Sequence, residues 1–281
     1  AADNRPPRTA HACGVVSAIA SGEIVRLDAA AAERAPGVLA VFRPGNFPRL
    51  HRIAEDMAHG IKAAEVRPPF ADEKIYYAGQ FVALVVAETF EQARAASRLV
   101  QVEYRATRPV LSLDDGIATN GAKPQDEEKS ERGEPDRALA AAPVRLDETY
   151  TTPVEVHCAM EQHSTVAEWD GTRLVLHDST QWVFGQPRTL AAMLGLPPEQ
   201  VVVRAPFIGG GFGSKLFLWP HAVLAAVAAQ KLSRPVKFVL PRQLHFGTAG
   251  HRPVTRQRLR LGATRAGRLL ALRPDSESHT S

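Results

Sequence analysis

Cysteine is scarce. The chain has two, Cys13 and Cys158, among 281 residues. They make no C-x-x-C pair, so nothing supports a zinc site or an iron–sulfur cluster held by this chain. Two cysteines do not make a disulfide framework at this size, and both are expected to be reduced and buried. Aromatics make up 6% of the residues and the net charge is only +4. With the arginines scattered among few aromatics, no nucleic-acid footprint emerges. No apolar run reaches the length of a membrane span. The opening Ala1 to Arg8 lacks the apolar core of a secretory signal, and no initiator Met stands before it.

Several catalytic signatures are also missing. There is no G-x-S-x-G elbow, and Cys158 carries no cysteine-hydrolase signature. The glycine-rich stretch at 209–215 does not fit G-x-x-x-x-G-K-[ST]. It also fails as a dinucleotide fingerprint. Ser214 would occupy the third glycine position, and no acidic residue follows at the required distance.

What is present suits about two domains, with 44% apolar and 23% charged residues. Residues 14–20 read as a strand. Asp28 caps an alanine-rich helix that Pro36-Gly37 ends, and Val38 to Phe42 is a second strand. Residues 44–74 read as an irregular excursion. Gln80 to Ala87 is a buried strand, Thr89 caps a helix to about Ser97, and Leu99 to Tyr104 is the next strand. This spacing predicts a β-α-β unit and a small mixed domain over 12–112. Residues 113–137 are rich in charge and turn formers and read as a linker.

From 138 to 281 a second domain is expected. Val144 to Thr151 is extended. Thr165–Trp169 and Arg173–Leu176 form a hairpin about a type I′ Asp170-Gly171 turn. Gln186 to Leu194 is helical and ends at Gly195. A strand at 201–204 leads into Ile208-Gly209-Gly210-Gly211-Phe212-Gly213-Ser214-Lys215, followed by a helix over 220–231 and a strand over 236–240. A hairpin over 254–262 and 267–273 comes last. A ribbon of two strands is marginal alone, so it should pack on something else. Seven arginines fall within 22 residues between Arg252 and Arg273. The alternation Arg256-Gln257-Arg258-Leu259-Arg260-Leu261 reads as a strand with a solvated charged face, a subunit contact being the alternative. The chain does not end like a finished domain.

Three features invite chemistry. The glycine loop offers bare backbone N–H donors to an anionic or oxo-bearing group, with Lys215 adding positive charge; a plain strand-to-helix turn is the competing reading. Gln181 lies between a strand and a helix, where a side-chain amide could meet a ligand, though an ordinary loop residue fits as well. His157, Glu161 and His163 would share a face if extended, which permits a metal. No second cluster completes such a site, so a polar loop near a partner or cofactor is preferred.

Four segments, in order, carry a family resemblance. They are Gly79-Gln80-Phe81-Val82-Ala83-Leu84-Val85-Val86-Ala87-Glu88-Thr89, Met160-Glu161-Gln162-His163, Ser179-Thr180-Gln181 with Met193-Leu194-Gly195-Leu196, and Gly209 to Lys215. Together they resemble the molybdenum-binding subunit of the xanthine dehydrogenase / aldehyde oxidase family, with the nearest look to bacterial aldehyde oxidoreductases. The resemblance implies an α+β fold: a small α/β hammerhead domain, then the first part of a molybdopterin-binding α+β domain. It implies a molybdopterin-type molybdenum cofactor, with a cytosine dinucleotide form open. Gln181 would bond an oxo ligand, and Gly210, Gly211, Phe212 and Gly213 would line the cofactor. The implied reaction oxidises an aldehyde or N-heterocycle with water as oxygen source. Electrons would leave through a 2Fe-2S subunit to an FAD subunit. Leu216 stands where purine-oxidising members carry a substrate-binding Glu, which favours an aldehyde. Ser214 replaces a usual glycine, a mild change if its φ is negative. The family's general-base Glu is expected in further sequence, since the match covers about 40% of such a subunit. No catalytic base is therefore assigned here, and the isolated chain is expected to be inactive. A fragment serving only as a partner-binding or structural module is the alternative. Localisation stays open: cytoplasmic by default, periplasmic if a partner subunit carries an export signal.

Overall fold

The computed structural model describes residues 1–120 and 130–278. Two compact units emerge, and neither is continuous in sequence: residues 1–108 with 157–250, and residues 109–156 with 251–281.

In the first unit the chain runs through β1 (Ala10–Val16), β2 (Gly22–Asp28), α1 (Ala30–Glu33), β3 (Val38–Phe42), β4 (Lys74–Ile75), β5 (Phe81–Ala87), α2 (Phe90–Ser97) and β6 (Gln101–Ala106). It passes through the second unit as α3 (Leu113–Asn120), α4 (Pro135–Ala141) and β7 (Val144–Thr152). The first unit resumes with β8 (Ser164–Trp169), β9 (Leu174–Asp178), α5 (Gln186–Leu194), β10 (Val201–Arg204), α6 (Pro220–Leu232), β11 (Val236–Val239) and α7 (Arg242–Thr248). The second unit ends in β12 (Thr255–Ala263) and β13 (Leu269–Ser278).

A seven-stranded mixed sheet, ordered β10-β9-β8-β11-β1-β5-β3, organises the first unit. Its centre is apolar because its strands are. All seven residues of β5 are buried, which suits a strand covered on both faces. The pairing of β1 with β11, Ala10 beside Val236, joins the early strands to the later ones. Helix α6 is buried from Pro220 through Ala229, as expected of a helix apolar on all sides. Helix α2 begins with a capping box: Thr89 accepts from the Gln92 N–H, and the Gln92 side chain accepts from the Thr89 N–H.

Several sequence expectations need correction. The first strand starts four residues earlier than read, at Ala10, and ends at Val16. The stretch β5-α2-β6 is not a β-α-β unit within one sheet. Strand β6 pairs antiparallel with β2 in a separate sheet ordered β4-β2-β6, because α2 hands the chain across rather than back. The β8–β9 connection is not a two-residue type I′ turn. Trp169 faces Leu174, so four residues intervene. Of these Gly171 has positive φ, and Asp170 instead accepts from the Thr172 and Arg173 N–H groups. The stretch read as a linker carries α3 and the start of α4; its middle, 121–129, lies outside the described residues.

In the second unit the final hairpin joins β7 in a three-stranded sheet ordered β13-β12-β7, which supplies the packing partner that a lone ribbon needs. Helix α4 covers one face, where Gly262 closely approaches Ala142 and Leu139. On the same face the alternating arginines of β12 meet carboxylates. Arg258 binds Asp147 through two bonds of 2.7 Å, Arg256 binds Glu277 and Asp114, and Arg260 meets Asp275.

Candidate functional site

The glycine loop follows β10 and is held from two directions. Glu161 grips its start. The Glu161 N–H donates to the Gly209 carbonyl at 2.9 Å, and the Gly209 N–H donates to Glu161 Oε2 at 2.9 Å. A side chain at 209 would press on the Glu161 Cβ at 2.7 Å, which is why glycine is needed there. Glu161 also holds the end of the loop, since Lys215 Nζ donates to its Oε2 at 2.8 Å. Lys215 is 1% exposed. Its charge is therefore turned inward onto a carboxylate and is not offered to a ligand, contrary to the expectation from sequence. Burial alone would raise the Glu161 carboxyl. The bonds from Lys215 and Gly209 and the lysine charge outweigh it, and the carboxyl lies below its ordinary range.

Gln181 lies between β9 and α5, as read. Its backbone N–H donates to the Lys215 carbonyl at 2.7 Å. Its side-chain Oε1 accepts from the N–H groups of Gly213 and Lys215, both at 3.2 Å. Two N–H donors on one atom fix that atom as the oxygen. The amide nitrogen Nε2 is then the outward end, and it donates to nothing among the described residues. A Cβ on Gly211 would overlap Gln181 Oε1, so the close approach depends on glycine at 211. Gly210 and Gly213 have φ of +91° and +95°, and Phe212 also takes a positive φ of +52° with an exposed ring. Ser214 is absent from the positive-φ residues, and its hydroxyl donates to the Gly211 carbonyl at 2.9 Å. The substitution of serine for glycine is accommodated.

Behind the loop lies a layer that sequence reasoning missed. His163 is 1% exposed and donates from Nε2 to the Ser214 carbonyl at 3.0 Å. Trp219 Nε1 donates to the same oxygen. His163 Nδ1 lies 2.5 Å from His245 Nε2. Burial pushes His163 down to about 3 and His245 down to about 4, so both rings are neutral near pH 7. Asp178, buried beneath, accepts from Thr165 and Gln186; burial raises its carboxyl. Of these residues only His163 carries a signal in sequence, and that signal points to a metal ligand. The segment from His157 to His163 is not a strand. Glu161 faces Lys215, while His163 faces His245 and Ser214. Among the described residues no cluster of three such side chains could hold a metal ion. Cys158 is exposed, not buried, and like Cys13 it is free.

The site thus combines a bare backbone edge, an oriented amide donor and an apolar rim. Gly210 and Gly211 keep N–H groups with no acceptor among the described residues. Leu216 at the end of the loop is 39% exposed. Met160, Phe184, Phe207 and Ile208, in the segments that build the site, are exposed as well. Such a surface fits an oxo-bearing, flat cofactor that needs close backbone approach and one hydrogen-bond donor.

Comparison with known proteins identifies the family. Residues 119–280 match the molybdopterin cofactor-binding domain family, and residues 1–108 match the aldehyde oxidase and xanthine dehydrogenase a/b hammerhead domain. The aldehyde oxidoreductase molybdenum-binding subunit PaoC of Escherichia coli (strain K12) is 42% identical over 97% of this chain and 36% of its own length. The crystal structure of quinoline 2-oxidoreductase from Pseudomonas putida 86 superposes with a TM-score of 0.86 at 28% identity, over 98% of this chain and 36% of that one. Aldehyde oxidoreductase from Desulfovibrio gigas shares the fold, with a TM-score of 0.84 at 24% identity over 98% of this chain and 31% of its own. The chain therefore spans about a third of the length of these relatives. No helix among the described residues is long and apolar enough to cross a membrane.

Proposed function

The chain belongs to the xanthine dehydrogenase / aldehyde oxidase family, as its hammerhead domain and part of a molybdopterin-binding domain, and from that premise we propose that the loop and Gln181 form one wall of the molybdenum site of an aldehyde-oxidising hydroxylase. The observation that carries this is the orientation of Gln181. Its oxygen is occupied by the Gly213 and Lys215 N–H groups, so its amide nitrogen is presented outward beside bare backbone.

When bound, the cofactor supplies the redox chemistry and Lewis acidity. The chain supplies position. Gln181 Nε2 would donate to an oxo ligand, and Gly210, Gly211, Phe212 and Gly213 would bring backbone against the cofactor. Glu161 and Lys215 hold the loop in place before the cofactor arrives, so no reorganisation is required at the moment of reaction. Leu216 lines the substrate side. An apolar residue there gives no charge to a purine and suits an aldehyde, or failing that an N-heterocycle. The catalytic base belongs, on this reading, to sequence that the longer relatives carry and this chain does not span, so the 281 residues alone do not turn over. The exposed Phe184 and Phe207 support covering by that sequence. 2Fe-2S and FAD partner subunits would take up the electrons, and the cytosine dinucleotide form of the cofactor suits the bacterial resemblance.

The test is Gln181→Ala in the complete enzyme. Turnover is expected to fall about a hundredfold, the effect of removing one preorganised donor, with molybdenum content and thermal midpoint retained. Unchanged turnover at full molybdenum content would remove Gln181 from the site.

A further inference from the structure

We propose that His245 and His163 are positioning residues that orient and polarise the Gln181 amide through the Ser214–Lys215 peptide. The proposal rests on the reading above only for what Gln181 faces; the relay itself stands on this chain alone.

Its links follow from donor and acceptor chemistry. A carbonyl oxygen only accepts, so the 3.0 Å contact at Ser214 puts a proton on His163 Nε2. A neutral imidazole then has an accepting Nδ1. The 2.5 Å contact there accordingly puts a proton on His245 Nε2. Ser214 C=O and Lys215 N–H belong to one trans peptide and point opposite ways. The carbonyl is held from within by His163, with Trp219 Nε1 as a second donor, and the N–H reaches Gln181 Oε1 at 3.2 Å on the other side. The series runs His245, His163, peptide, Gln181, each group donating to the next. Hydrogen bonds in series polarise one another in a low-dielectric interior. Donation into the Ser214 carbonyl strengthens the Lys215 N–H as a donor, and acceptance at Gln181 Oε1 strengthens Nε2 in turn. The geometry also explains why two buried histidines meet here. A single imidazole could hold the carbonyl, but the second fixes its tautomer.

Nuclear magnetic resonance on the cofactor-free 281-residue chain reads the relay without turnover. In His163→Leu the Lys215 amide proton and the Gln181 side-chain NH2 protons should move upfield, and exchange of the Lys215 amide should quicken roughly three- to tenfold. His245→Leu should move the same signals the same way by less. His163→Gln keeps a donor for Ser214 but loses His245, so it should match His245→Leu. His245→Gln keeps a donor for His163 and should restore the native shifts. If His163→Leu fails to fold, the other three variants carry the test. Gln181 and Lys215 signals that stay fixed in His245→Leu and His163→Gln would overturn the relay. So would a His245→Gln variant as displaced as His245→Leu, since that result assigns the effect to packing. If these signals respond while Gln181→Ala leaves turnover of the complete enzyme intact, the relay stands and the molybdenum reading falls.

Discussion

In the first unit the Glu161–Lys215 pair joins a fully buried amine to a carboxylate that is 23% exposed, whereas in the second the Arg258–Asp147 pair leaves both side chains about half exposed. Both have short, well-directed bonds. They differ in surroundings. Lys215 has no water to fall back on, so its partner is obligatory, and through Gly209 that partner also fixes the loop. Arg258 and Asp147 each exchange one solvated state for another, and the Arg258 ladder continues a charged strand face. Equal geometry therefore implies unequal consequence: the buried pair specifies a shape, and the exposed ones decorate a surface.

The largest effect that would test this contrast is Glu161→Ala. It strands the Lys215 charge in the interior and should cost about 3 kcal/mol, the low end for breaking a buried pair because Glu161 is partly wetted. Denaturant unfolding measures it; a loss as small as that of an exposed pair would dissolve the distinction.

A smaller effect comes from pH. His163 in the fold sits near 3 instead of 6.5, so below 6.5 the unfolded chain takes up the proton first. Its stabilising neutrality is complete above pH 6.5 and is lost as pH falls toward 3, at about 1.4 kcal/mol per pH unit. His245, His11, His177 and His221 are also depressed and act in the same sense, while the raised Asp178 opposes them. Thermal midpoints between pH 6.5 and 4.5 should fall in the native chain and fall less steeply in His163→Gln. Parallel slopes would mean that His163 is not held neutral.

The smallest effect should come from Asp147→Ala, with no measurable change in unfolding midpoint at ordinary ionic strength. A clear loss there would show that the arginine ladder carries stability after all.

Local pattern told much of this in advance. The seven apolar residues of β5, the Thr89 cap with Gln92 three residues on, the left-handed Gly195 ending α5 and the apolar α6 are all short-range features, and they stand where they were read. Partners were not legible. Local pattern marks a strand at 14–20, four residues late, and says nothing of the pairing of Ala10–Val16 with Val236–Val239, and nothing local separates β5 from β6 into different sheets. In the site, the glycine spacing and Gln181 were visible as types of residue. The inward turn of Lys215 was not, because a lysine at the end of a loop reads as exposed. His245 was hidden for a related reason. It sits 82 residues from His163, and its identity alone carries no mark of a partner.

Everything proposed for the site turns on Gln181 presenting its amide nitrogen to the molybdenum. A crystal structure of the complete, cofactor-loaded subunit measures this directly. Gln181 Nε2 is expected within about 3 Å of an oxygen ligand of the metal, with Oε1 still bonded to Gly213 and Lys215. An amide turned so that Oε1 faces the cofactor, or a Gln181 out of hydrogen-bond reach of it, would contradict the account.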